Sequence, residues 1–198
     1  QAPVSAVRRR AVALILLLLL SAAPLVPATL GAAPRSTTVW SGTVVLQDGY
    51  TVESGDILVV QSGTTIQLGD DENILVAGRI TVQGTTTAPV LLESILGNHD
   101  GIVFNLSSSG LGSKIENLTI IDAEYGVTIY DSDPTLNDLT VINADRVAID
   151  LFDGASPRIN NLVIDGGGQD IHGFSTSWRY GIGLSIGAYS APIVDGVT

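Results

Sequence analysis

Asp131 and Asp133 follow one short apolar run, GVTIY (126–130), and Asp150 and Asp153 occupy the matching stretch around the next, VAIDL (147–151). Carboxylates that recur at matched places can do two kinds of chemistry. Brought together, all four could hold Ca²⁺, which takes about six to eight oxygen ligands. Two of them at a suitable separation could form the acid pair of a glycosidase. The same residues would equally serve as a solvated face of an acidic protein.

A second concentration of reactive side chains lies in DGGGQDIHGFSTSWRYG (165–181), which holds His172, Trp178, Arg179 and Tyr180 in a chain with only 5% aromatic residues. Aromatic rings stack on the apolar faces of sugars, and loops tend to carry function, so this segment is a candidate sugar platform. The competing reading is a loop whose rings fold back onto the domain that bears it. His99, in GNHDG, has no second histidine or acid at ligand spacing and reads as a loop residue, not a metal ligand. Two sequons, at Asn105 and Asn117, match the acceptor pattern for N-glycosylation. Asn117 is discounted because the repeat described below gives it a backbone role.

Composition limits what these residues can serve. Nine basic side chains face twenty acidic ones, for a formal charge of −11, and three of the nine are clustered at Arg8, Arg9 and Arg10. Nucleic acid is therefore not an expected partner, since a phosphate-binding surface needs a basic patch. Cysteine is absent, which removes disulfides and thiolate metal sites. The arginine cluster, the apolar run over 11–20, and small residues at Val26 and Ala28 supply the three parts of a secretory signal peptide cleaved after Ala28. That run is short for a bilayer span. Left uncleaved and extended through Leu25, it would be an anchor, although Pro24 and Pro27 weaken a helix there. The expected organisation is a signal peptide over 1–28, a linker over 29–38 and a folded, exported domain over 39–198. Residue 1 is Gln and Met is absent, so further chain is expected upstream.

The elements that must position these side chains are announced by a repeat. SKIENLTIIDA begins at Ser113, PTLNDLTVINA at Pro134, PRINNLVIDGG at Pro157 and PIVDGVT at Pro192. Position three of each unit is Ile115, Leu136, Ile159 and Val194. Position six is Leu118, Leu139, Leu162 and Val197, and position eight is Ile120, Val141 and Ile164. Helical spacing does not fit. Positions six and eight fit a strand, but the odd step from three to six would throw one side chain outward unless the chain turns between them. Position five holds Asn117, Asp138, Asn161 and Gly196, all tolerant of a left-handed backbone, so the turn is placed there. A second short strand precedes each unit, in GIVFN, GVTIY, VAIDL and IGLSI. Each coil then has three strands, and Ala123, Ala144 and Gly167, at position eleven, mark the bend toward the next coil. Unit spacings of 21 and 23 residues suit one turn of a solenoid, and the 35-residue spacing before Pro192 reflects the insertion at 165–181.

With GRITVQGTTTAPVLLES (78–94) and the stretch 100–130 added to these units, the chain from about Trp40 onward resembles the right-handed parallel β-helix proteins, a pectate-lyase-like superfamily rich in secreted and surface proteins. The resemblance implies an all-β, right-handed, single-stranded parallel β-helix, and leaves function open among lyases, hydrolases, adhesins and surface-layer components. ILVAGRITVQG and SGDILVVQSGTTIQLG read as irregular first coils forming an N-terminal cap. Thr198 falls at position seven of its unit, so further coils are expected beyond it.

Within that family a lyase needs a Lys or Arg base near bound Ca²⁺, and Lys114 is the only lysine here. The hydrolase relatives carry Asn-Thr-Asp, Asp-Asp and Gly-His-Gly segments; none is present as such, since the paired acids Asp70–Asp71 lie in the irregular early coils and the nearest histidine context is DIHG. The expected role is therefore structural or adhesive, at the cell surface or secreted, with polysaccharide or surface glycans as partners and membrane contact only through an uncleaved N-terminal segment. The alternative is a polysaccharide lyase or glycoside hydrolase whose catalytic coils extend past this chain. The expected sugar contacts are His172, Trp178, Arg179 and Tyr180, and the expected Ca²⁺ ligands are Asp131, Asp133, Asp150 and Asp153.

Overall fold

The structure, a computed structural model, describes residues 36–167 and 181–198. These form an all-β parallel solenoid of about six turns. The first three coils each have three strands. They are β1 (Thr37–Trp40), β2 (Thr43–Leu46) and β3 (Tyr50–Val52); β4 (Ile57–Val60), β5 (Thr65–Leu68) and β6 (Ile74–Val76); and β7 (Arg79–Gln83), β8 (Val90–Ser94) and β9 (Ile102–Phe104). From the fourth coil on, the first two strands merge. The later coils are β10 (Lys114–Ile121) with β11 (Tyr125–Tyr130), β12 (Thr135–Ala144) with β13 (Val147–Phe152), and β14 (Arg158–Gly167) with β15 (Ile182–Ile186). The strand β16 (Ile193–Val197) opens the next coil. Every named pairing is parallel and joins equivalent strands of successive coils, giving a first sheet from β1 to β16 and a second sheet in the order β15-β13-β11-β9-β6-β3.

Position three of the repeat runs unbroken through the stack: Trp40 pairs with Val60, then Val82, Ile115, Leu136, Ile159 and Val194. Position six stacks Val90, Leu118, Leu139, Leu162 and Val197. Leu118, Leu139 and Leu162 are 0–1% exposed. The second sheet adds an inward row of Val52, Val76, Phe104, Ile129 and Leu151, all buried. The early coils thus share the register of the late ones, and their expected irregularity is corrected. ILVAGRITVQG, read as part of an irregular first coil, is two strands, β6 and β7, meeting at a corner. Gly78 is required there, because a Cβ would stand 2.3 Å from the Glu53 carbonyl oxygen and 2.4 Å from that of Asp56.

The corner expected at position five is present in all four units. Asn117, Asp138, Asn161 and Gly196 have φ of 46°, 52°, 55° and 74°. Pairing passes over the corner, from Glu116–Asn137 directly to Leu118–Leu139, which is how both flanking side chains point inward despite their odd spacing. The bend assigned to position eleven belongs one residue earlier. Asp122, Asn143 and Gly166, at position ten, have φ of 56°, 56° and 69°, while Ala123 and Ala144 are buried just inside the turn. Corner side chains cross-link the coils: Asn161 Nδ2 donates to Asp138 Oδ1 at 3.0 Å, and Asn143 Nδ2 to Asp122 Oδ1 at 3.1 Å. Each polar corner residue therefore supplies both a tolerated left-handed backbone and a bond to its neighbour. Burial falls away in the last coil, where Ile186, Ile193 and Val197 are exposed. Among the described residues no helix is long and apolar enough to cross a membrane.

Candidate functional site

The outer face of the second sheet carries a cleft of about 410 Å³, within the size range of small-molecule sites. Strand alternation builds its floor. Val127 and Ile129 point into the core, so Thr128 points outward, where it pairs with Val103 of β9 on one side and Asp150 of β13 on the other. Asp150 is 1% exposed. One step further along the same face, Tyr130 and Phe152 are register partners, and their rings stack with centroids 4.9 Å apart and planes 12° from parallel. Tyr130 remains 39% exposed.

The other end of the cleft is framed by Tyr125 and Asp100. The Arg146 guanidinium lies 5.7 Å from the centre of the Tyr125 ring, donates from Nη1 to the Tyr125 hydroxyl at 3.2 Å, and pairs through Nε with Glu124 Oε1 at 2.5 Å. These contacts hold the Tyr125 ring in place. Asp100 sits on a corner whose backbone is bonded on both sides, its own N–H donating to the Glu72 carbonyl at 2.8 Å. Beside it, His99 is fully buried: Nδ1 accepts from the Gly101 N–H at 3.0 Å and Nε2 lies 3.1 Å from the Ile121 carbonyl. One ring nitrogen accepts and the other donates, which is the neutral imidazole. Burial pushes the His99 pKa down, against a smaller raising effect of the Ile121 bond and of Asp122. His99 is a structural pin between two coils.

Burial, helped by the charges of Glu124 and Asp71, pushes the Asp100 carboxyl up to about 6; Arg146 acts in the opposite direction and Glu72 adds a little more. A carboxyl held above its unfolded value contributes stability in its protonated form, and that contribution is lost as pH rises from about 4 through about 6. Asp100→Asn removes the ionisation. Thermal melts across pH should show the variant gaining on the parent from about pH 4 to about pH 6, with a constant gap above that window. A gap independent of pH would remove the electrostatic account of this corner.

The four aspartates named from sequence do not gather. Asp131 and Asp153 directly follow Tyr130 and Phe152 and take left-handed corner geometry, with φ of 41° and 51°. Asp133 accepts from the Gly110 N–H at 2.6 Å through Oδ1. Only Asp150 lines the cleft. Among the described residues no group of three or more His, Asp or Glu side chains is placed to share a metal ion. His172, Trp178, Arg179 and Tyr180 lie outside the described residues. Asn105 accepts from the Ser107 N–H at 2.9 Å, and Asn117 donates from its corner to the Gly84 carbonyl at 3.3 Å.

Sequence reasoning missed Asp100, Tyr125, Tyr130, Arg146 and Phe152. Tyr130 and Phe152 carried a legible signal, since each ends a short apolar strand one repeat apart. Asp100 and Arg146 carried none, because their positions follow from corner geometry. A second groove of about 330 Å³ crosses the first sheet past Thr119, Thr140, Asp138 and Asn161, but it has no aromatic lining among the described residues. The cleft on the second sheet is therefore the chemically richer candidate. Comparison of the chain with protein-family models, curated proteins and solved structures gives no match.

Proposed function

We propose that this chain is a secreted or cell-surface β-solenoid with a structural or adhesive role that binds polysaccharide through the cleft on its second sheet. The observation that carries the reading is the combination of three aromatic rings and two carboxyl groups lining one cleft of a repeatedly cross-bonded solenoid. Rings offer flat apolar surface to sugar C–H faces, and carboxylates accept from sugar hydroxyls. Export is supported by the basic, apolar and small-residue succession of the first 28 residues. The insertion at 165–181 remains a proposed second contact region, through Trp178 and Tyr180.

A panel of polysaccharides tested against the parent, Tyr130→Ala and Trp178→Ala distinguishes the two regions. Loss of stacking in Tyr130→Ala should weaken binding about tenfold, equivalent to about 1.4 kcal/mol. Equal binding by parent and Tyr130→Ala would remove the cleft, and no binding by the parent would leave a purely structural role. One observation favours an enzymatic second reading. A carboxyl raised to about 6, as at Asp100, is suited to giving up a proton near neutral pH, and Asp150 supplies a second carboxyl in the same cleft. On that reading the chain is a glycoside hydrolase, and reducing-end release from a bound polysaccharide should vanish in Asp100→Asn.

A further inference from the structure

The cleft has a direction and a length. Tyr125 opens β11 and Tyr130 closes it, so the two rings are rooted at most about 16 Å apart at about 3.3 Å per residue. Across the stack the cleft is narrower: its floor row of Val103, Thr128 and Asp150 spans three strands, about 10 Å at about 4.8 Å per step. Its long axis therefore follows the strands and crosses the solenoid axis. A 1,4-linked pyranose advances about 5 Å per unit at ordinary covalent dimensions, so the distance between the rings corresponds to about three units. Between the end rings, Thr128 and the nearly buried Asp150 line the middle of that span.

Charge narrows the choice of sugar. Asp100 lines the cleft, and Glu124, Asp71 and Glu72 lie close enough to act on its ionisation. Arg146 at the same end already pairs with Glu124. A uronate polymer would bring one carboxylate per unit into this field, where like charges repel. A neutral sugar brings hydroxyls that donate to the same oxygens. Stacking at both ends further favours pyranoses whose substituents are equatorial, since these leave flat C–H faces.

We propose that the cleft takes a neutral, linear oligosaccharide of about three pyranose units, laid along β11 across the solenoid axis, with Tyr125 and the stacked Tyr130–Phe152 pair as its two end subsites. This rests on the reading of the cleft as the glycan site. Tyr125 and Tyr130 are then specificity residues that set ligand length.

The test is calorimetric titration of the full chain with cello- and xylo-oligosaccharides of increasing length, and with oligogalacturonates of matched length. Affinity for the neutral series should climb to about three units and then level off, and the uronates should bind at least tenfold more weakly. Tyr125→Ala and Tyr130→Ala should each weaken the trisaccharide about tenfold, whereas the disaccharide should respond strongly to only one of them. Tyr125→Phe, which keeps the ring and the fold, should retain binding. If polysaccharide is bound but affinity keeps climbing well past three units, uronates bind as well as neutral sugars, or the trisaccharide responds to Tyr130→Ala and not to Tyr125→Ala, this inference is overturned while the cleft stays a glycan site; a trisaccharide that ignores both substitutions removes the cleft as well. If the parent binds no polysaccharide at all, both fall together.

Discussion

Leu139→Ala should destabilise the protein by about 2–5 kcal/mol, the range for buried leucine truncations that leave a cavity. Leu139 is 0% exposed and lies in the middle of the position-six row, between Leu118 and Leu162. Neighbours on both sides are held by parallel pairing, so the coils cannot close on the space without breaking register. Denaturant unfolding of parent and variant reads the difference directly, with the midpoint falling at unchanged slope. Val197→Ala, in the same row but exposed, is the internal control and should shift the midpoint far less. Equal shifts for both would mean that the row is not a continuous core.

Gly101→Ala should be comparably damaging, by about 2–5 kcal/mol, for a different reason. Gly101 has φ of 61°, where an L side chain loses about 1–2 kcal/mol. Its Cβ would also stand 2.0 Å from the Gly126 carbonyl oxygen and 2.4 Å from that of Tyr125, so the third and fourth coils must separate. Overpacking of that kind adds about 1–3 kcal/mol. The displaced atoms belong to the start of β11 and to the corner that carries His99 and Asp100, so the substitution should disturb the cleft as well as the fold. A melting curve records the first effect and glycan titration the second. A variant as stable as the parent would contradict the close approach of these two coils.

The repeat by itself determines the solenoid. Apolar side chains at positions three, six and eight can face one interior only if the chain turns at position five, and Asn, Asp and Gly in that place in every unit meet the steric requirement of the turn. Stacking then follows, because a coil with apolar interior positions has no core until another coil covers it. Position ten obeys the same rule through Asp122, Asn143 and Gly166, and was legible for the same reason, although the small residues beside it drew the bend one place too far. The early coils were harder to read because glycine corners such as Gly42 and Gly63 leave short, separate strands, with φ of 69° and 71° and no side-chain pattern across the turn. The cleft is another matter. Asp100, Thr128, Asp150 and Phe152 come from three different coils, and which of them share a face depends on strand parity and on the angle of each corner. Asp131 and Asp153 show a second reason for recurrence: an aspartate can return at repeat distance because the backbone takes a left-handed residue there. Local chemistry decides where a chain can turn; only the assembled stack decides which side chains then meet.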